Sequence, residues 1–370
     1  VAHLRRSLPA ANAVRLIGLL WHDSIKEKDG LECSTDDKSN GYLDPTCLHY
    51  LDVLVQQLTE AGFWVILAAR AKYAAGWLEE SKTTPDVFRS VALRRRMYAM
   101  WRFIADRYKW TDRMAGYEIM SEPRTRQTSQ GGVRDFYRGG CDAVHKADPR
   151  VLCVVGPRPF YKVWELSDAV LQPKRGQVLY TFDFFVPSSF VMSNTAEERS
   201  ERCGGPHHNA TWCVGKSFPG RYQCKELFDT WWRGKPGCEK ADSMVFIDGK
   251  WIAETLERVA VGFSKKHSVP IHLNQWGVKD EVFDANGRRR YAQAMLDALH
   301  AHSTSSTYWL WREKHKPHRD VTEDGVWGFE LARNDGPHEA LDGKMLATLQ
   351  AGFARTALQH PGNLVPCGVE

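Results

Sequence analysis

Seven short apolar runs recur along this chain, near residues 14, 65, 116, 152, 179, 272 and 308, and a stretch of helical character follows each of them. Apart from insertions, the spacing of about 35 to 45 residues is that of parallel strands joined by crossover helices. The run Phe63-Trp64-Val65-Ile66-Leu67-Ala68-Ala69 has no charged residue, as a strand covered on both faces requires. The preceding segment 46–61 puts Leu51, Leu54, Val55 and Leu58 on one helical stripe and stops at Gly62. A doubly wound sheet would carry a glycine-rich phosphate turn after an early strand, and neither GxGxxG nor GxxxxGK[ST] occurs. The expected fold is therefore α/β, a (β/α)8 TIM barrel. Such a barrel needs about 250 residues and grows by insertion. The 370 residues are expected to form a single (β/α)8 catalytic domain, 1–370, with one insertion loop at 186–245, after strand 6. An eighth strand is expected either ahead of residue 1 or as an irregular first element. The loop 22–45 is polar and rich in Gly and Asp.

In a barrel the working side chains sit at strand carboxyl ends. Those ends hold Trp21, His22, Asp23, Arg70, Glu122, Asp183, Gln275 and Trp311. The stretch Gly116-Tyr117-Glu118-Ile119-Met120-Ser121-Glu122-Pro123 is the most telling. Pro123 is expected to push the residue before it into extended geometry, so Glu122 is held rather than mobile. An ionisable group there is expensive unless it works or is paired. Pro270-Ile271-His272-Leu273-Asn274-Gln275-Trp276-Gly277 has the same build, with a polar residue ending an apolar strand. Two such residues flanking one bond suit glycoside hydrolysis, where one carboxyl protonates the leaving oxygen and a second, about 5 Å away in retaining enzymes, attacks the sugar carbon. Glu122 fits the first role, and Glu118, of the same parity but deeper, reads as structural.

Four segments together resemble glycoside hydrolase family 5, the cellulase-like retaining glycosidases. Asn12-Ala13-Val14-Arg15-Leu16 is similar to the second-strand segment whose arginine supports the nucleophile. Tyr117–Pro123 is similar to the acid/base motif, usually Asn-Glu-Pro. Val269–Gly277 is similar to the nucleophile motif, and Tyr308-Trp309-Leu310-Trp311 to the eighth strand with its sugar-stacking tryptophan. The resemblance implies Glu122 as acid/base and position 275 as nucleophile. It implies a substrate-binding set of Arg15, Trp21, His22, Arg70, Ser121, Asp183 and Trp311. It also marks a divergent member. Ser121 stands where an asparagine is usual, Arg70 where a histidine is common, and Asp183 and Phe185 where His and Tyr commonly follow the sixth strand.

Gln275 is the gravest departure, because an amide neither attacks well nor carries charge for an oxocarbenium-like transition state; losing such a group costs several powers of ten in rate. Two accounts compete. In one, the chain is a hydrolase of β-linked glycans or glycoconjugates carrying a deliberate Glu→Gln replacement, inactive as it stands. In the other it is a catalytically inactive carbohydrate-binding protein of the same fold. A cofactor-dependent barrel enzyme is a third, weaker reading.

Nine cysteines, four of them between Cys203 and Cys238, mark the insertion as a disulfide-stapled loop. Trp231-Trp232 lies inside that loop and is a candidate cleft wall, as is Trp77. With the sequon Asn209-Ala210-Thr211, the cysteines point to a secreted glycoprotein. Cys33 and Cys47 bracket a loop and could pair; Cys141 and Cys153 read equally as buried thiols or as a pair. Neither CxxC nor HExxH occurs, and no metal or cofactor is expected. A net charge of +5, with Arg94–Arg96 and Arg288–Arg290 read as solvated helix faces, gives no nucleic-acid footprint. No apolar run approaches the roughly 18 residues of a membrane span. The expected partner is an oligo- or polysaccharide of β-glucan type, or a glycolipid, bound by a monomer.

Overall fold

The computed structural model describes residues 1–21, 33–34, 43, 45–71, 87–88, 91–123, 130–168, 170–171, 177–191, 217–228, 237–279, 285–311, 331–333, 340–341 and 343–359. In chain order, α1 (Ala2–Ser7) leads to β1 (Ala13–Trp21), β2 (Cys33–Ser34), α2 (Pro45–Glu60) and β3 (Trp64–Ala71). Then come α3 (Val91–Tyr108), β4 (Met114–Ser121), α4 (Gln130–Ala147), β5 (Leu152–Val155) and β6 (Gln177–Phe184). An antiparallel hairpin, β7 (Gly220–Gln223) with β8 (Met244–Ile247), precedes β9 (Ile271–Trp276). Helix Ala285–Ala301, β10 (Ser305–Tyr308), the short pair β11 (Ala332–Arg333) and β12 (Ala340–Leu341), and helix Gly343–Gln359 follow.

The fold class is the (β/α)8 TIM barrel. The main sheet runs in the order β10-β9-β6-β5-β4-β3-β1-β2, and the registers between β1 and β6 are parallel. Each of the seven expected strands forms. The eighth member of the sheet is β2, whose two residues pair beside Leu19 and Leu20 of β1, inside the stretch read from sequence as loop alone. A two-residue strand leaves no periodicity to find.

Two compact units divide the chain: Val1–Ala2, Asn12–Asp183 and Val259–Leu273 form one, and His3–Ala11, Phe184–Arg258 and Asn274–Glu370 the other. In the first unit, α3 and α4 cover the sheet. Met97, Met100, Trp101, Ile104 and Ala105 of α3 are fully buried. Each such aliphatic side chain contributes about 1.5–3 kcal/mol by leaving water. The Trp101 indole also donates to the Ile119 carbonyl at 3.0 Å, fixing α3 against β4. Gly116 is required where β4 meets β5, because a Cβ there would lie 2.5 Å from the Leu152 carbonyl oxygen. A disulfide between Cys141 and Cys153 ties α4 to β5, so these two cysteines are a pair rather than buried thiols.

In the second unit, Tyr291 is fully buried, donates to the Val186 carbonyl at 2.9 Å and packs edge-on against Phe218 at 5.1 Å. Cys224 and Cys238 are bonded, a staple within the insertion. Cys203, Cys213, the sequon at Asn209 and the Trp231-Trp232 pair lie outside the described residues, as does Trp77. Cys47 is disulfide-bonded. The reading of Arg288–Arg290 as a solvated face needs correction at Arg288, while Arg290 is exposed. Arg288 is 2 % exposed and its Nε donates to the Val278 carbonyl, while the Arg290 Nε donates to the Phe218 carbonyl at 2.8 Å. Long cationic stems thread between elements when carbonyls await their heads.

The helix expected over 250–267 forms as α-helix Gly249–Thr255, a π-helical stretch Leu256–Val261 and α-helix Gly262–His267. Asp248 caps its start by accepting from the Trp251 backbone N–H at 2.8 Å. Among the described residues, no helix is long and apolar enough to cross a membrane.

Candidate active site

The site is built from the carboxyl half of β4. Glu118, Met120 and Ser121 are buried there, and Glu118 is completely so. A carboxylate in that position needs a partner, and β1 supplies it. The Arg15 Nε donates to Glu118 Oε2 at 2.6 Å and its Nη2 to Oε1 at 2.9 Å, a two-pronged pair with side chains 3 % and 0 % exposed. The same Nη2 donates to Ser121 Oγ at 2.7 Å. Burial works against the Arg15 charge, but the Glu118 carboxylate outweighs it and holds the guanidinium above its ordinary value. Arg15 thus binds the strand end together from within.

Glu122 follows immediately and is held differently. Its φ of 47° is not the extended geometry expected before Pro123; it lies in the left-handed region, which side chains with a Cβ enter at a cost of roughly 1–2 kcal/mol. The cost is offset by the loop after β5. There Phe160 and Tyr161 also have positive φ, 56° and 52°. The Phe160 N–H donates to the Pro123 carbonyl at 3.2 Å, and the Tyr161 carbonyl accepts from the Asp183 N–H at 2.7 Å. The Tyr161 hydroxyl donates to the Met120 carbonyl at 2.5 Å, with the Tyr137 hydroxyl 3.2 Å from the same oxygen. Gly156 opens the loop; a Cβ there would sit 2.6 Å from the Tyr161 ring and 2.7 Å from the Thr181 carbonyl oxygen. One short loop therefore grips both the Glu122 turn and the end of β6.

Asp183, 6 % exposed, lies at the end of β6 with the Glu122 carboxyl nearby. Burial first, and then the nearby Glu122 carboxyl, push the Asp183 carboxyl well above the usual range, against the pull of Arg15. Burial likewise raises the Tyr161 hydroxyl. Tyr161 and Tyr137 are positioning residues that sequence reasoning missed. The only trace was the Gly156-Pro157-Arg158-Pro159 run, dense enough in Gly and Pro to mark a built turn.

The structure thus brings Arg15, Ser121, Glu122 and Asp183 together, with Glu118 beneath them. Gln275 is buried at 5 % exposure on β9, in the order Asn274-Gln275-Trp276 that the sequence suggested. In the same unit, Trp276 is fully buried edge-on to Tyr308, with centroids 5.2 Å apart, and its carbonyl accepts from the Trp309 N–H at 2.8 Å. Trp311 is half-buried, edge-on to His3 at 5.4 Å. Trp21 ends β1, and Arg70 sits on β3 in register with Leu20 and Ser121; the side chains of both, and all of His22, lie outside the described residues. Among the described residues no cluster of three His, Cys, Asp or Glu could hold a metal ion.

Parallel strands alternating with helices, and carboxyl groups gathered at one strand's carboxyl end, place the protein among the α/β barrels whose strand ends carry the chemistry. The family model "Cellulase (glycosyl hydrolase family 5)" matches residues 10–315, and the chain belongs to that family of glycoside hydrolases. Solved structures of the same fold include the cellulose synthase subunit Z of Clostridioides difficile, at 16% identity over 85% of this chain and 83% of that one, TM-score 0.58. A hyperthermophilic endo-β-1,4-glucanase in complex with substrate aligns at 15% identity, 85% and 81% coverage, TM-score 0.59. Thermotoga maritima Cel5A with cellobiose aligns at 16% identity, 84% and 81% coverage, TM-score 0.58. No curated protein matches the sequence.

Proposed function

We propose that this chain carries the site of a retaining glycosidase for β-linked glycans or glycoconjugates, with Glu122 as acid/base and position 275 as the nucleophile position, occupied here by glutamine. The observation that carries the reading is Glu122 itself, in a family 5 chain. It is clamped at the end of β4 in a left-handed conformation, with a second carboxyl against it. Strain kept at a carboxylate by a dedicated loop is the mark of a site held for chemistry.

In the full reaction, a carboxylate at position 275 attacks the anomeric carbon while the Glu122 carboxyl gives its proton to the departing glycosidic oxygen. Glu122, now ionised, then takes a proton from the water that displaces the glycosyl group, and the acid is restored. Gln275 interrupts this at its first bond, because its amide is a poor nucleophile and offers no negative charge to the developing cation. We read Gln275 as a Glu→Gln replacement in a hydrolase site. Thermotoga maritima Cel5A forms crystalline complexes with cellobiose and with mannotriose, which makes hexose oligosaccharides the first substrates to try. Ser121, Asp183 and Trp311 are proposed to contact the sugar, with Trp311 as a platform; Arg15 positions Ser121. The disulfides Cys141–Cys153 and Cys224–Cys238, with the bonded Cys47, suit a monomer that works in an oxidising, secretory setting.

The test is Gln275→Glu. An activated aryl β-glycoside should then give a burst of aglycone followed by steady turnover, and the parent chain should give neither. Gln275 also supports a second reading, a carbohydrate-binding protein without hydrolysis. In that case the parent chain binds cello-oligosaccharides in calorimetry, and Gln275→Glu stays silent across β-glucan, β-mannan and glycolipid substrates.

A further inference from the structure

We propose that His3 is a positioning residue for Trp311: its ring holds the indole at the tilt on which a sugar lies flat. The proposal rests on the reading of Trp311 as the sugar platform and deepens it by naming what steadies that platform. The two rings meet with centroids 5.4 Å apart and planes at 73°, an edge-to-face contact of the kind aromatic pairs prefer. Both residues are half-buried. A single neighbour set at that angle covers at most one face of the indole. The contact therefore restrains the tilt of the ring and leaves the other face to a sugar.

The element that carries His3 is itself fastened. At six residues, α1 is far short of the roughly 12–15 at which an isolated helix holds together in water. Side chains secure its carboxyl end instead. Arg5 Nη1 donates to the Pro9 and Ala11 carbonyls at 3.2 and 2.8 Å. The Gln350 amide, on helix Gly343–Gln359, donates to the Ser7 carbonyl at 2.6 Å, and Ser7 and Leu8 are buried. With that end pinned, His3 keeps a fixed place about one turn back. The backbone leading into Trp311 is held as firmly. The Trp309 N–H donates to the Trp276 carbonyl at 2.8 Å, and the Leu310 carbonyl accepts from the Leu331 N–H at 3.1 Å. The indole still turns about its own two side-chain bonds, and His3 meets it there. A side chain already held in its bound orientation loses less freedom when ligand arrives, so the ligand binds more tightly. Stacking on a platform acts alike on bound substrate and transition state, so the gain falls in affinity rather than in the chemical step.

Calorimetry of the chain as it stands with cello- and manno-oligosaccharides reads the contact and needs no turnover. His3→Ala should weaken binding about threefold to tenfold, and His3→Phe, which keeps a ring edge, should stay within about twofold of the parent. Trp311→Ala should weaken binding at least as much, and adding His3→Ala to it should bring no further loss, because both act through one contact. If His3→Ala does not fold, His3→Gln, which also lacks a ring, takes its place. On the Gln275→Glu background, His3→Ala should raise KM for a cello-oligosaccharide by the same factor and leave kcat within about twofold. Unchanged binding in His3→Ala, an equal loss in His3→Phe, or a loss that persists on the Trp311→Ala background overturns the proposal and leaves the platform standing. A fall in kcat with KM unmoved overturns it too. A Trp311→Ala chain that binds like the parent rejects the platform, and a parent that binds none of these sugars rejects the sugar site; either result takes the proposal with it.

Discussion

Glu118 and Glu122 share one strand end, four residues apart, and the molecule treats them in opposite ways. Glu118 is completely buried and meets a guanidinium that matches both its oxygens. Glu122 is half-buried and meets another carboxyl. The first arrangement neutralises charge and settles it. The second leaves like charges near one another and costs backbone strain besides. Two acids of the same parity on the same strand are thus assigned different work by their neighbours alone: β1 gives Glu118 its partner, and β6 gives Glu122 its own.

The hardest challenge to this contrast is to remove each acid in turn. Glu118→Gln leaves the Arg15 charge buried and unmatched, and a loss of about 3–5 kcal/mol is expected in urea unfolding. Glu122→Gln should stay within about 1 kcal/mol of the parent. On the Gln275→Glu background, the same change should lower kcat by about 10²–10⁴ with substrates whose leaving group needs a proton. If Glu118→Gln proves silent in unfolding while Glu122→Gln collapses the fold, the two roles have been assigned the wrong way round.

A smaller effect sharpens the Glu122 side. Tyr161→Phe removes the donor to the Met120 carbonyl and should cost about 1–2 kcal/mol. It should weaken substrate binding more than Glu118-side changes of equal stability cost, which calorimetry on cello-oligosaccharides can read.

The pH dependence of stability separates the two acids further. Burial and Glu122 raise the folded Asp183 carboxyl above its unfolded value. The folded state therefore binds the extra proton, and this contribution is fully present below the unfolded value of about 4 and lost as pH rises through the folded one. Unfolding free energy should slope downward with pH across that window in the parent, and Asp183→Asn should flatten the slope.

The smallest effect comes from the surface. Arg107 and Asp52 repeat the two-pronged geometry of Arg15 and Glu118, with a third bond from the Tyr108 hydroxyl, but their side chains are 37% and 33% exposed. The Arg107 hydrogen bond holds Asp52 below the usual carboxylate range, so its contribution is present above about pH 4 and fades as pH falls through the folded value. Water and salt screen such a pair, and Asp52→Asn should cost under about 1 kcal/mol, less still in high salt. The contrast with Glu118 then measures what burial adds to an identical pairing.

Much of this was legible in the chain. Buried parallel strands write themselves as unbroken apolar runs and crossover helices as amphipathic ones, so the seven strands could be placed before any coordinates. Pro123 marked Glu122 as fixed, because proline acts on its neighbour through local sterics. Residues such as Arg15, Ser121 and Asp183 could be nominated because strand ends are identifiable. Their partners could not. That Arg15 would choose Glu118, and that Asp183 would meet Glu122, depends on which strands lie side by side and at what register, and no local pattern encodes that. The partners of the Tyr161 clasp were invisible for the same reason, though the Gly156–Pro159 run marked its turn, and so was the burial of Arg288 against the Val278 carbonyl. The sequence by itself determined the alternation of strands and helices and where the acids fall along it, since both follow from short-range periodicity and backbone sterics. Only the tertiary structure decided which acid was paired with a cation and which with another acid, because electrostatic roles are set by contacts through space between segments far apart in the chain.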